Sequence, residues 1–247
     1  MTATPLTIIT GASRGLGLAM AQQLAGEGHR LLTIARQRTA QLPSSVTQWT
    51  DHDLADPGVT VLQLLAWLAE IDTTGVSAVT LINNAGVVST PAPLAAGDFA
   101  ELSRAIRVGL EAPLLLTAAF LRATAAWTAP RKVLLVSSGL GRRGMAGSAS
   151  YCAAKAGLDN LARALMLEEA ARRNGARIAS LAPGVIDTDM QVQLRTADPA
   201  LFPERKVFVG LHEGGQLDSP AKAAAKVLVY LARADFGAEP VASVNAP

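Results

Sequence analysis

Leu6-Thr7-Ile8-Ile9-Thr10 runs directly into Gly11-Ala12-Ser13-Arg14-Gly15-Leu16-Gly17, and the reading of that stretch decides the fold. The short apolar run reads as a buried strand. Leu18, Met20, Ala21, Leu24 and Ala25 then recur with the spacing of one helix face. A glycine-rich turn between a buried strand and a helix is the setting in which backbone cradles the phosphates of a nucleotide. Gly11 is expected to permit the tight turn, Gly15 the approach of backbone to pyrophosphate, and Gly17 the packing of helix on sheet. Ser13, Arg14 and Leu16 complete the loop, and the helix start offers free N–H groups and a partial positive charge.

Outward from this unit the same alternation continues. Arg30–Ala35, Val79–Ile82, Val133–Val136 and Arg177–Leu181 are apolar runs of strand length. They read as strands buried on both faces, hence parallel. Helical patterns cover Val59–Ile71, Ala100–Ala126, Ser150–Arg173 and Ala221–Leu231. Strand and helix in alternation predict an α/β fold, a single-domain Rossmann-type doubly wound parallel sheet with helices on both faces. At 247 residues the chain has the length for one such domain, and no composition shift marks a second.

The second strand ends at Arg36. A dinucleotide site that takes NAD usually carries Asp or Glu near this point, to bind the ribose 2′-hydroxyl. The chain has no acidic residue between Glu27 and Asp51, and instead has Arg36, with Arg14 and Arg38 nearby. Guanidinium groups suit a 2′-phosphate by charge and by bidentate geometry, so the expected cofactor is NADP(H).

Tyr151 and Lys155 lie four residues apart in Tyr-Cys-Ala-Ala-Lys, with Ser138 at the end of the strand Val133–Val136. On a helix, residues i and i+4 share a face, which sets the Lys155 ammonium beside the Tyr151 phenol. A neighbouring positive charge favours phenolate and is expected to lower the tyrosine pKa towards the range of general acid–base work. Ser138 is placed to hydrogen-bond the oxygen whose protonation changes. The three together suit an alcohol/carbonyl pair.

These residues resemble the short-chain dehydrogenases/reductases. Thr10–Gly17 is similar to that family's glycine loop, Asn83-Asn84-Ala85-Gly86 to its Asn-Asn-Ala-Gly segment, and Ser138, Tyr151 and Lys155 to its catalytic set. The resemblance implies that Asn84, Ala85 and Gly86 border the cofactor and that Asp53 and Leu54 contact adenine. It also implies that the segment through Pro183, Gly184, Val185, Ile186 and Thr188 passes beside the nicotinamide. Tyr151 and Lys155 would touch the cofactor as well, with Lys155 on the nicotinamide ribose. Within the family, Tyr151–Gly157, Leu167-Glu168-Glu169 and Pro183–Gln191 are most similar to the sepiapterin reductase and benzil reductase group. That likeness implies an NADPH-dependent reductase acting on a ketone or vicinal dicarbonyl, and a homodimer through helices 100–126 and 150–173. A cytoplasmic place is expected from the single cysteine and the lack of a bilayer-spanning apolar run. One position departs: Gly109, in Ile106-Arg107-Val108-Gly109-Leu110, stands where the family carries an asparagine that supports a proton relay. The competing reading is a catalytically weak NADP(H)-binding sensor or scaffold.

The segment 189–217 interrupts the alternation and is expected to cover the substrate. Met190, Gln191, Phe202 and Phe208 are its candidate substrate contacts, with Ser138, Tyr151 and Met145 opposite. Its apolar character suits a flat or aromatic carbonyl compound. Asp218-Ser219-Pro220 has two readings, an anchor for a pterin ring or an ordinary helix start with Ser219 as cap and Pro220 as first residue. A formal net charge of +2, with no basic run, gives no argument for a nucleic-acid partner. The single cysteine, Cys152, excludes an internal disulfide and suits a reducing compartment. His29, His52 and His212 lack metal-ligand spacing, so no metal is expected. No apolar run is long enough to span a bilayer, so no membrane partner is expected.

Overall fold

The computed structural model describes residues 3–245. The opening strand, β1 (Thr4–Thr10), lies inside the sheet, between β2 (Arg30–Ile34) and β4 (Val76–Asn83). Beyond β2 comes β3 (Thr47–Trp49), and beyond β4 come β5 (Arg131–Val136), β6 (Arg177–Ala182) and β7 (Val241–Ser243). All pairings are parallel, in the order β3-β2-β1-β4-β5-β6-β7. The chain therefore winds outward from β1 in one direction and restarts beside it in the other. That reversal opens a crevice at the carboxyl ends of β1 and β4, where open α/β sheets bind ligands.

The helices in chain order are α1 (Gly15–Gly26), α2 (Gly58–Ala69), α3 (Phe99–Ile106), α4 (Ala112–Ala123), α5 (Ala149–Ala170), α6 (Asp189–Arg195), α7 (Arg205–Glu213) and α8 (Pro220–Ala232). Successive strand residues point to opposite faces, and both faces here are covered. Ile8, Leu81, Val133 and Leu135 enter a core with Leu64 of α2, Phe120 of α4 and Leu158 of α5. Ile9, Ile82 and Leu134 enter the other, with Leu24 of α1 and Val227 of α8. This is why the strands read as unbroken apolar runs. The doubly wound sheet expected from the alternation is the one observed, with two short edge strands, β3 and β7, added.

The expected helix 100–126 differs. It is broken into α3 and α4 by a π-helical turn, Arg107–Glu111, with Gly109 buried in it. A Cβ at Gly109 would stand 3.0 Å from the Ala154 Cβ of α5. Glycine here serves a close approach of the π turn to the helix that carries Tyr151 and Lys155. It is not a defect in a regular helix. Gly109→Asn is therefore expected to overpack this contact, lowering stability by about 1–3 kcal/mol in urea unfolding without raising kcat. A gain in turnover would show that the missing amide, and not the packing, governs this position.

Candidate active site

Contacts at Gly11 and Gly17 leave no room for side chains in the glycine loop. Gly11 has φ +69° and its N–H donates to the Ile34 carbonyl at 2.8 Å, tying the loop to β2. A Cβ on Gly17 would stand 2.3 Å from the Gly11 carbonyl oxygen and 2.4 Å from Asn84 Nδ2. The Thr10 hydroxyl accepts from the Asn84 and Ala85 N–H groups at 3.0 Å each, and Asn84 Nδ2 donates to the Thr10 and Gly11 carbonyls at 3.0 and 3.2 Å. Asn84 and Ala85 thus fix the loop from the neighbouring strand. No side chain caps α1, whose first residues Gly15, Leu16 and Gly17 line the crevice.

That crevice holds about 370 Å³. Of the residues expected at the cofactor, Gly11, Ser13, Arg14, Gly15, Leu16, Gly17, Arg36, Asp53, Leu54, Asn84, Ala85, Gly86 and Thr188 line it, together with Met190 of the covering segment. Thr188 reaches the loop: its Cγ2 lies 3.5 Å from where a Cβ on Gly15 would be. Pro183, Gly184, Val185 and Ile186 do not line the crevice. They lead up to it, held by backbone bonds from Asp218 N–H to the Val185 carbonyl (2.9 Å) and from Asp187 N–H to the Asp218 carbonyl (3.0 Å).

Three features of this crevice escape the sequence. Arg104 of α3 donates to both carboxylate oxygens of Asp53, at 2.9 and 3.0 Å. This pair and the Ala55 N–H at 3.0 Å hold Asp53 below its ordinary pKa against the opposing effect of burial. Arg14 is engaged by Asp189, so the glycine loop and the first turn of α6 close over the crevice as an ion pair. His52 lines the wall, its ring stacked on Trp49 at 5.6 Å and its Nδ1 2.8 Å from the Thr60 hydroxyl. No local pattern marks the two ion pairs, because each joins elements distant in the chain.

Ser138, Tyr151 and Lys155 gather beside the crevice rather than in its wall. Gly86 is the link: a Cβ there would stand 3.6 Å from Lys155 Nζ. The Ser138 hydroxyl accepts from the Leu140 N–H at 3.2 Å and neighbours the Tyr151 phenol. Lys155 is buried, and its ammonium donates to the Val136 carbonyl at 2.7 Å. The ammonium stands 5.5 Å from the centroid of the Tyr151 ring.

The electrostatics correct the sequence expectation. Burial dominates Tyr151 and pushes its pKa up to about 12, the neighbouring Ser138 hydroxyl pulling the other way and Cys152 adding to the rise. Burial likewise lowers Lys155 to about 8, with Asp159 opposing. The ammonium, engaged by the Val136 carbonyl, does not offset the rise at Tyr151. At neutral pH the phenol therefore keeps its proton, and the lysine is mostly charged.

The covering segment divides its residues. Phe202 is wholly buried, stacked on Phe208 at 5.7 Å, and it fills the space beside Gly147. It anchors the segment to the loop that follows Ser138 and does not face the crevice. Gln191 is also buried, and its carbonyl oxygen has no hydrogen-bond partner among the described residues. Met145 and Phe208 are half-buried. Asp218 is paired with Lys222 and Lys226, while Ser219 Oγ accepts from the Lys222 N–H at 3.2 Å and Pro220 opens α8. The helix-start reading is the one seen, with the Asp218 carboxylate held by lysines.

Residues 5–199 match the family model described as short chain dehydrogenase. A benzil reductase ((S)-benzoin forming) of Bacillus cereus is 32% identical over 235 residues, covering 93% of this chain and 94% of that protein. A sepiapterin reductase of Xenopus tropicalis is 30% identical over 250 residues, covering 92% and 90%. A crystal structure of a short-chain dehydrogenase/reductase from Burkholderia vietnamiensis superposes with TM-score 0.64 at 36% identity, covering 100% of both chains. A parallel sheet with its glycine loop at the switch point, a Ser-Tyr-Lys group beside it and matches along nearly the whole length have one explanation: the chain belongs to the short-chain dehydrogenase/reductase family, and within it is most like the benzil reductase and sepiapterin reductase group.

Proposed function

We propose that the protein is an NADPH-dependent carbonyl reductase for a ketone or vicinal dicarbonyl, with Tyr151 as the proton donor. The observation that carries this reading is the buried Lys155 ammonium, 5.5 Å from the centroid of the Tyr151 ring and 3.6 Å from where a Cβ on Gly86 would stand at the crevice rim, with Ser138 neighbouring the phenol. The residues fit the cofactor. Gly11 and Gly17 stand where a Cβ would collide, the first N–H groups of α1 have no side-chain cap, and Arg36 supplies positive charge at the end of β2, Arg14 being paired with Asp189.

Bound NADPH would supply the hydride. The chain's part is to bind the carbonyl oxygen between the Ser138 hydroxyl and the Tyr151 phenol and to protonate it. A phenol that stays protonated at neutral pH is an acid ready to give its proton as negative charge develops on that oxygen. The two hydrogen bonds strengthen as the alkoxide forms, which lowers the barrier rather than merely tightening substrate binding. The Lys155 ammonium stabilises the phenolate left behind. Gln191, Met190 and Met145 are proposed as substrate walls, with Phe202 and Phe208 holding the covering segment in place. The Asp218 carboxylate, held by Lys222 and Lys226, favours a diketone or aromatic ketone over a pterin anchored at that residue.

The homodimer is part of the same proposal: Leu114 of α4 and Leu167 of α5 are 43% and 70% exposed. Among the described residues no helix is long and apolar enough to cross a membrane, and cytoplasmic residence is proposed.

NADPH oxidation at 340 nm against vicinal diketones, aromatic ketones and sepiapterin tests the reading, and NADPH binding with no turnover on any of them would favour a sensor. Cofactor choice has its own test. Arg36→Gln is expected to raise KM for NADPH roughly tenfold to a hundredfold, the equivalent of ~1.5–3 kcal/mol for a hydrogen bond to a charged group, and to leave KM for NADH nearly unchanged. Equal changes for both cofactors would remove the 2′-phosphate role.

A further inference from the structure

Asp159 lies one helical turn beyond Lys155 on α5 and is 1% exposed. Its Oδ1 accepts from the Ser180 hydroxyl of β6 at 2.6 Å. Its Oδ2 has no hydrogen-bond partner among the described residues, and the Arg142 Nε is 3.6 Å away on a side chain that is 37% exposed. A buried carboxylate with one neutral donor and one half-exposed guanidinium is poorly compensated, and such a group is costly unless a cation shares its surroundings. Lys155 is buried one turn earlier on the same face, so the two charges relieve each other.

The same carboxylate touches the turn that carries Ser138. A Cβ on Gly141 would stand 2.9 Å from both Asp159 Oδ2 and the Lys155 carbonyl oxygen. The Ser137 hydroxyl donates to that carbonyl at 3.4 Å, and Arg142 continues to the Ala242 carbonyl of β7. Turn, catalytic helix and β6 therefore meet at the Asp159 side chain, and Arg142 ties the turn on to β7.

We propose that Asp159 is a positioning residue whose buried carboxylate keeps Lys155 an ammonium and seats the Ser138 turn on the catalytic helix. The proposal rests on the reading that Lys155 acts as an ammonium in proton transfer. The titratable groups that act on or face Lys155 are Tyr151 and Asp159 on α5 itself, with the Val136 carbonyl of β5 as its hydrogen-bond partner; Arg142 on the turn faces Asp159, and Cys152 and Ser138 act on Tyr151. Burial already draws Lys155 down to about 8, and Asp159 is the group that opposes it.

The sign follows. Removing the carboxylate charge leaves burial unopposed, so the ammonium is lost at lower pH. Removing Arg142 takes away a positive charge that competes for Asp159, so the ammonium persists to higher pH. The test is NMR titration of 13C-lysine-labelled wild type, Asp159→Asn and Arg142→Gln, with the Lys155 signal identified by its loss in Lys155→Met. The Lys155 midpoint is expected to fall by on the order of one pH unit in Asp159→Asn and to rise in Arg142→Gln. The alkaline limb of kcat should move the same way in each. A purely structural Asp159 would lower Tm and leave the Lys155 midpoint in place, and an unmoved midpoint overturns the proposal. Should Asp159→Asn fail to fold, Arg142→Gln decides alone: a raised midpoint supports the proposal, an unmoved or lowered one overturns it. The titration reads charge without turnover. Shifted midpoints in a protein that reduces no carbonyl would count against the proposed reaction and not against the Asp159–Lys155 coupling.

Discussion

Tyr151→Phe is expected to lower kcat by about 10²–10⁴-fold, the usual contribution of a positioned general acid, while NADPH affinity changes little. The substitution keeps the ring packed 5.5 Å from the Lys155 ammonium and removes only the hydroxyl. It takes away both the proton and one of the two hydrogen bonds to the developing alkoxide, so the loss should appear in kcat more than in KM. Steady-state assay beside fluorescence titration of bound NADPH separates the two effects. A variant that turned over at near the wild-type rate would require another acid, and Ser138 would be the first to examine.

Glu169→Gln is expected to cost about 3–5 kcal/mol of stability, the usual effect of stranding one member of a buried ion pair. Arg131, at the start of β5, and Glu169, at the end of α5, are 3% and 4% exposed and meet at 3.1 Å. Glu169 also accepts from the Ala176 N–H at 2.8 Å and pairs with Arg172 at 3.0 Å, while Arg131 Nε donates to the Asn174 carbonyl at 3.1 Å. Arg131 Nη1 has no partner among the described residues, so this cation is incompletely satisfied even in the native protein. Neutralising its counter-charge leaves a buried guanidinium with only carbonyl and amide oxygens. Urea unfolding should show the midpoint lowered by about 1–2 M for a slope of 2–3 kcal/mol/M. The double replacement Arg131→Met with Glu169→Leu should lose less, because it strands no charge. The pair lies at the opposite end of β5 from Ser138, so the folded fraction should retain its kcat. A single variant as stable as wild type would show that water reaches Arg131.

The apolar runs of β1, β4, β5 and β6 were legible because a strand buried on both faces needs no alternation to betray it, and its length alone identifies it. The edge strands β3 and β7, three residues each, have neither length nor periodicity, and they exist only because β2 and β6 offer them unpaired backbone. Gly109 was legible as a departure from the family's asparagine, but its packing role was not, since the π turn that accommodates it depends on how near Ala154 comes. Phe202 was legible as apolar, but its burial beside Gly147 depends on how the covering segment folds back.

By itself the sequence determined the doubly wound sheet, the glycine loop, the Ser138, Tyr151 and Lys155 group and the arginines at the end of β2. Each of these is written in residues close along the chain or in apolar period. Only the tertiary structure decided the direction in which Tyr151 and Lys155 titrate, the clamp of Arg104 on Asp53, the closure of Arg14 on Asp189 and the seat of Asp159. Charges respond to burial and to partners brought from distant elements, and neither quantity exists until the chain has folded.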